Sequence, residues 1–150
     1  MLWGAIGSGK TTLVEETIRR LKDKYKIVMI EIAVIVGDTI AEMDASRFRK
    51  LGVSTIPVNT GKECYMDAKL VENAPTYAYF ENICLLIIEN VDNFICPVDF
   101  NLEESLRAVI VSVTEVEDVV SKHPLIFKTA ELVILNKVDI AHAVDVDAKK

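Results

Sequence analysis

The stretch GAIGSGKTT, residues 4–12, fits the pattern G-x-x-x-x-G-K-[ST], which is typical of a loop that wraps a phosphate group. Glycines let the backbone curl until successive N–H groups point at one anion, and a helix that begins near Lys10 adds the positive end of its dipole. The ammonium group of Lys10 can reach the β and γ phosphates of a nucleotide, and the hydroxyl of Thr11 can bind Mg²⁺. The predicted phosphate-binding residues are Gly4, Gly7, Ser8, Gly9, Lys10, Thr11 and Thr12.

Apolar, β-branched runs alternate with helical patterns around this loop. The runs are continuous, as expected for a parallel sheet that is covered on both faces by crossover helices. The predicted strands are 27–36, 54–58, 83–89, 108–113 and 131–136. The predicted helices are 10–24, 39–51, 63–74, 124–130 and 140–148. The sequence therefore predicts a mostly parallel α/β sheet flanked by helices, and with no linker or repeat we expect residues 1–150 to form a single domain.

The first helix has a clear apolar stripe. Leu13, Ile18 and Leu21 fall on one side of the helix and are predicted to face the core. The side chains predicted to face water are Glu15, Glu16, Arg19, Arg20 and Lys22.

Composition and charge exclude several classes of protein. Hydrophobic residues make up 51% of the 150 residues and charged residues 27%, which is typical of a globular domain. The net charge of −6 disfavours a nucleic-acid partner. The longest apolar run, residues 27–36, contains Glu31 and is too short to cross a bilayer, so no membrane association is expected. Three cysteines with no export signal favour reduced thiols and a cytoplasmic protein.

A second motif, NKVD at residues 136–139, directly follows the predicted strand at 131–136. The carboxylate of Asp139 can accept hydrogen bonds from N1–H and N2–H₂ of guanine, a donor pair that adenine lacks. Asn136 can contact the base and brace the phosphate loop, and the stem of Lys137 can lie along the ring. The alternative is an ordinary polar loop. Because ligands of open α/β sheets bind at the carboxyl ends of strands, the position of NKVD favours GTP.

Two carboxylates lie at the ends of predicted strands between these motifs. Asp38 follows the strand at 27–36, and Glu89 ends the strand at 83–89. Each can hold Mg²⁺ or orient the attacking water, and each is about as well explained as a capping or solvated acid. The predicted catalytic residues are Lys10, Asp38 and Glu89, with Thr11 and Asp38 at Mg²⁺.

These motifs resemble one family, the hydrogenase-maturation GTPases that help deliver nickel to [NiFe] hydrogenase, with their urease-accessory relatives. The resemblance covers nearly the whole chain and rests on GAIGSGKTTLVE (4–15), GDTIAEMDASR (37–47), IPVNTGKEC (56–64), IENVDNFICPVDF (88–100) and KHPLIFKTAELVILNKVDIA (122–141). It implies a P-loop NTPase fold, GTP or GDP with Mg²⁺, a nucleotide-dependent homodimer and hydrogenase-maturation proteins as partners. It also implies that Cys64 and Cys96 bind Zn²⁺ or Ni²⁺. Without the resemblance, we would interpret both as ordinary reduced thiols.

The chain departs from the family pattern at several places. The family has histidines where Tyr65 and Lys69 stand, and glycine where Asp92 stands. It also has a full strand before the phosphate loop, where this chain has only MLW, and a strand, loop and helix beyond residue 150. The expected domain is therefore truncated at both ends. With only two thiolates in each protomer, one zinc ion shared between two protomers, or no bound metal at all, fits better than nickel. Cys84, inside an apolar run, is predicted to be a core residue.

The sequence therefore predicts a GTP-binding and GTP-hydrolysing metallochaperone for nickel insertion into [NiFe] hydrogenase. Two alternatives remain. A small-molecule P-loop kinase would share the phosphate loop, and a metal-binding or dimerising remnant would have no turnover.

Overall fold

A computed structural model of the chain describes residues 1–33, 39–59, 83–91 and 104–146. Up to residue 59, the described strands and helices alternate as the sequence predicts. The strands are β1 (Leu2–Trp3), β2 (Ile27–Ala33), β3 (Ser54–Asn59), β4 (Leu85–Val91), β5 (Ala108–Ser112) and β6 (Leu132–Asn136). The helices are α1 (Lys10–Leu21), α2 (Thr39–Lys50), α3 (Val116–Lys122), α4 (Pro124–Thr129) and a 3₁₀ helix at Val138–Ala143.

The six strands form one sheet in the order β3-β2-β4-β1-β5-β6, and every neighbouring pair is parallel. All strands therefore end at the same edge. The phosphate loop follows β1, Glu89 lies within β4, and the NKVD motif begins at the last residue of β6. The topology brings the predicted nucleotide-binding residues of three strands to one edge of the sheet.

The short segment before the phosphate loop is a true strand. β1 has only two residues, yet Leu2 pairs with Glu89 of β4 on one side and with Ala108 of β5 on the other. Trp3 is 1% exposed, and the guanidinium carbon of Arg107 lies 4.6 Å from the centroid of its ring. Burial of a full indole and a cation–π contact both hold β1 at the centre of the sheet.

Apolar side chains cover both faces of the sheet. One cluster of buried residues includes Val14 and Ile18 of α1, Phe48 of α2 and Ile110 of β5. A second cluster contains Trp3, Val109 and Ile126. Neighbouring residues of β5 thus belong to opposite clusters, which explains why the strand reads as a continuous apolar run.

Several predicted boundaries differ from the structure. The predicted helix at 140–148 is a 3₁₀ helix that begins at Val138 and ends at Ala143, because left-handed residues flank it: φ is 58° at Lys137 and 55° at Asp145. The sequence pattern does not predict helix α3. The predicted helix at 63–74 lies outside the described residues, as do residues 34–36 of the predicted strand at 27–36.

The prediction that Cys84 is a core residue is wrong. Strand β4 begins at Leu85, one residue later, and the Cys84 side chain is exposed. The Cys84 N–H donates a hydrogen bond to the Lys26 carbonyl, 3.0 Å away, at the amino edge of the sheet. The apolar run of the sequence therefore continues past the edge of the core. No helix in the described part of the chain is both long and apolar enough to cross a membrane.

Candidate nucleotide-binding site

The phosphate loop closes tightly against the sheet at Gly4. A Cβ atom at this position would lie 2.6 Å from the carbonyl oxygen and from Cγ2 of Ile110 in β5. The loop then turns back on itself, with the Ser8 N–H donating to the Ala5 carbonyl at 3.1 Å. Only glycine allows this approach between β1 and β5, and the approach places the start of α1 directly beyond the end of β1.

Lys10 lies at the first turn of α1 and is 6% exposed. Its Nζ donates hydrogen bonds to the carbonyls of Gly4, at 2.7 Å, and Ala5, at 2.9 Å. The ammonium group is thus held over the loop that it belongs to. A lysine held in this way presents a fixed positive charge to an anion that enters the loop.

Thr11 and Glu89 bring two oxygen donors together at the carboxyl edge. The Thr11 hydroxyl donates a hydrogen bond to Oε1 of Glu89 at 3.2 Å, and Glu89 is 1% exposed. Hard cations such as Mg²⁺ prefer hydroxyl and carboxylate oxygens, so this donor set fits Mg²⁺. The structure thus places Glu89 beside Thr11, whereas the other predicted Mg²⁺ residue, Asp38, lies outside the described residues.

The two sequence motifs meet in space. Nδ2 of Asn136, at the end of β6, donates a hydrogen bond to the Ser8 carbonyl, 2.8 Å away and 128 residues distant in sequence. Gly9, with φ of 100°, packs so closely against the Asn136 amide that a Cβ atom would collide with it. The bracing contact predicted for Asn136 is present in the structure.

The remaining NKVD residues project from the same edge. Lys137 adopts a left-handed conformation and precedes the 3₁₀ helix, and its carbonyl accepts a hydrogen bond from the Ile140 N–H at 3.1 Å. Asp139 lies in the first turn of this helix and is exposed. The turn therefore leaves the carboxylate of Asp139 accessible to a base. Thr12, at the start of α1, is also exposed.

A hydroxyl pair that the sequence motifs do not predict lies at the end of β5. Oγ of Ser112 lies 2.8 Å from Oγ1 of Thr114, and the Thr114 N–H donates to Ser112 Oγ at 3.3 Å. Val113, which lies between them, donates its N–H to the Asn136 carbonyl at 3.1 Å. The pattern S-x-T after a buried strand was the available signal, because serine and threonine commonly cap such turns.

The Ser8 hydroxyl gives a stability prediction. Ser8 is fully buried, and its Oγ makes no hydrogen bond to any residue that the structure describes. We expect Ser8→Ala to raise the free energy of unfolding by about 1 kcal/mol, because the substitution removes an unsatisfied buried polar group. Urea unfolding measures the change.

Ser112→Ala is the matched control. Ser112 is also fully buried, but its hydroxyl is paired with Thr114. We expect this substitution to lower the free energy of unfolding by about 1 kcal/mol. Equal destabilisation by both substitutions would contradict the prediction for Ser8.

The predicted metal ligands Cys64 and Cys96 lie outside the described residues, as do Tyr65, Lys69 and Asp92. Within the described ranges, no group of three or more His, Cys, Asp or Glu side chains is arranged to hold a metal ion. His123 lies between α3 and α4, at the end of one helix and the start of the next.

The sheet order, the loop after β1 and the helix that begins at Lys10 define a P-loop NTPase fold. A family model described as "CobW/HypB/UreG, nucleotide-binding domain" matches residues 1–150. The chain belongs to this family, and the resemblance inferred from its motifs is confirmed.

Relatives within this family have similar sequences and structures. A probable hydrogenase maturation factor HypB from Methanocaldococcus jannaschii is 53% identical over 147 residues, which cover 98% of this chain and 64% of the relative. The crystal structure of HypB from Archaeoglobus fulgidus superposes with a TM-score of 0.83 at 45% identity, covering 99% of this chain and 70% of that one. HypB from Helicobacter pylori, in complex with nickel, gives 0.82 at 34% identity, covering 99% and 67%. The chain thus spans less than two thirds of the M. jannaschii relative.

Proposed function

We propose that this chain binds GTP with Mg²⁺ and hydrolyses it to drive nickel insertion into a [NiFe] hydrogenase. The observation that carries the proposal is the hydrogen bond from Asn136 to the Ser8 carbonyl. This bond joins the guanine-reading motif to the phosphate loop, so that base and phosphates of one nucleotide can be bound together. A protein that binds nucleoside triphosphates without selecting the base needs only the phosphate loop.

The predicted base contacts fit guanine. Asp139 is exposed at the carboxyl edge of the sheet, where its two oxygens can accept from N1–H and N2–H₂. Adenine would leave the carboxylate facing no donor, which costs affinity. Lys137 is proposed to lie along the base with its side-chain stem.

Hydrolysis would rely on fixed charges around the γ-phosphate. Lys10 and the loop amides would stabilise negative charge on the phosphate oxygens, and Thr11 and Glu89 would hold Mg²⁺. The bound cation would add positive charge at the same oxygens. Asp38 is proposed as the second carboxylate of this site.

The proposal of a metal cargo comes from the family. The H. pylori relative is described in complex with nickel, and the M. jannaschii and A. fulgidus relatives are named as hydrogenase maturation factors. We propose that Cys64 and Cys96 take part in binding Ni²⁺ or Zn²⁺, that GTP brings two protomers together, and that the chain works with other maturation proteins in the cytoplasm.

Isothermal titration with GDP and with ADP, both with Mg²⁺, tests the proposal. We expect GDP to bind at least about 100-fold more tightly, because discrimination rests on paired hydrogen bonds to Asp139. Phosphate release from GTP then tests turnover. Preference for ADP would favour a small-molecule kinase, and GDP binding without phosphate release would favour the non-catalytic remnant.

Asp139→Asn should relax the choice of base. The amide keeps the size of the side chain but offers only one acceptor oxygen, so we expect GDP to bind about 10- to 100-fold more weakly while ADP affinity is unchanged. Asp145→Asn is the matched control, since Asp145 is also exposed and lies just beyond the 3₁₀ helix. Weaker GDP binding by both variants would point to general charge rather than base recognition.

A further inference from the structure

We propose that Glu15 and Arg47 form a positioning pair that sets α2 relative to the phosphate loop and thereby controls Mg²⁺-dependent hydrolysis of GTP. This inference rests on the proposed function. The pair joins the helix that follows the phosphate loop to the next helix of the chain, 32 residues further on.

The geometry of the pair is bidentate. Nε of Arg47 donates to Oε1 of Glu15 at 2.9 Å, and the second bond joins Arg47 Nη2 to Glu15 Oε2 at 3.1 Å. The Glu15 side chain is 12% exposed and that of Arg47 is 44% exposed, so the pair is partly buried. The prediction that Glu15 faces water is therefore wrong. Two parallel bonds of a planar guanidinium hold both distance and orientation, which a single exposed ion pair does not.

Apolar packing already holds the two helices together. Val14 and Ile18 of α1 and Phe48 of α2 belong to one buried cluster, and these residues flank Glu15 and Arg47 in sequence. Hydrophobic contact has no preferred direction, so it resists separation of the helices better than sliding or rotation. The bidentate pair of Glu15 and Arg47 restrains sliding and rotation of the two helices, which the apolar contact does not.

The restraint reaches the nucleotide edge through both helices. In α1, Thr11 lies one turn before Glu15, on the same face of the helix, and its hydroxyl is bonded to Glu89. In α2, the first residue is Thr39, and the preceding strand β2 runs to the carboxyl edge of the sheet. A shift of α2 along α1 would therefore move its amino end relative to Thr11 and Glu89.

The first experiment removes the bidentate bond between Arg47 and Glu15 but keeps the apolar packing between α1 and α2. Arg47→Met keeps an aliphatic stem, and Arg47→Lys keeps the charge but loses the bidentate geometry. For both variants we expect kcat for GTP hydrolysis to fall about tenfold and the Mg²⁺ concentration for half-maximal rate to rise, because small displacements of binding groups slow reactions. We expect GDP affinity without Mg²⁺ to stay within about twofold, since the loop itself is unchanged.

The control is an ion pair on the same helix. Nε of Arg20 lies 2.7 Å from Oε1 of Glu16, but this pair is confined to α1, and its side chains are 75% and 47% exposed. We expect Arg20→Met to leave rate, Mg²⁺ requirement and thermal unfolding unchanged. We also expect Glu15→Gln combined with Arg47→Met to be no slower than the slower single variant, because each breaks the same bond between the two helices. The Glu15 carboxylate also lies 3.9 Å from Arg19 on its own helix, so Arg19→Met controls for that second contact.

Three outcomes overturn the inference. Arg47→Met and Arg47→Lys with wild-type rate and Mg²⁺ requirement would do so while leaving the proposed function intact. A rate loss that follows only the fraction of unfolded protein would assign the pair a structural role. Failure of the wild-type chain to bind GTP, or to hydrolyse it, would contradict both the inference and the proposed function.

Discussion

Gly9→Ala is expected to abolish tight nucleotide binding. Gly9 has φ of 100°, where a side chain costs about 1–2 kcal/mol, and its new Cβ would collide with the Asn136 amide. Because the Asn136 amide is hydrogen-bonded to the Ser8 carbonyl, relief of the collision must break the bond that joins the two motifs. We expect GDP affinity to fall at least about 100-fold, equivalent to roughly 3 kcal/mol.

Substitutions at two other glycines distinguish the cost of backbone strain from the cost of the collision with Asn136. Gly7 and Gly52 also have positive φ, of 79° and 81°, but a Cβ atom at either position would meet no described atom within 4 Å. Gly52→Ala, just beyond α2, should lower the free energy of unfolding by about 1–2 kcal/mol and leave GDP affinity unchanged. Gly7→Ala tests strain inside the loop. If Gly9→Ala binds GDP as well as Gly52→Ala does, the contact with Asn136 does not constrain the site. Calorimetric titration with GDP and urea unfolding provide both measurements.

Much of the sheet could be predicted because its strands are buried on both faces. In a globular chain of this composition, a continuous apolar run of five or more residues, bounded by polar segments, is typical of such a strand. Strand ends were less predictable, since they depend on pairing. Strand β4 begins where Leu85 pairs with Ile27, and the adjacent Cys84 lies beyond that pair although its run of sequence looks the same.

The helix α3 shows what local patterns could not reveal. Its seven residues include three valines, which have low helix propensity, and it is too short to be stable alone. In the fold, Val119 is buried and its N–H donates to the Glu115 carbonyl at 2.9 Å. Tertiary packing therefore forms a helix that propensity would not predict.

Of the contacts between distant segments, some could be predicted from the sequence and others could not. The approach of Asn136 to the phosphate loop could be predicted, because two motifs with one shared ligand must lie together. The pair between Glu15 and Arg47 could not, because a helical pattern assigns Glu15 to the solvent face and says nothing of the partner helix. A side chain from a neighbouring helix can bury a polar residue that the helical pattern places on the solvent face. Here only the packing of α2 on α1 reveals that Glu15 is partly buried in this way.

Glu89→Gln is expected to separate Mg²⁺-dependent chemistry from nucleotide binding. Glu89 is 1% exposed and accepts the hydrogen bond of Thr11, and glutamine keeps its size and an acceptor oxygen. Only the negative charge is lost. We expect the rate of GTP hydrolysis to fall about 100-fold or more, because preorganised charge at the phosphates is a large part of phosphoryl-transfer catalysis.

The same substitution should strengthen binding when Mg²⁺ is absent. A carboxylate close to the phosphates repels them, so its neutralisation should raise GDP affinity in EDTA by a few fold, while added Mg²⁺ should no longer tighten GTP binding. Stability should not fall, since burial of an amide costs less than burial of a charge. Thr11→Val, which removes the hydroxyl but not the carboxylate, should also lose the Mg²⁺ effect, and Thr11→Ser should keep it. A Glu89→Gln protein that hydrolyses GTP at the wild-type rate across a Mg²⁺ titration would reduce Glu89 to a structural acceptor for the first turn of α1.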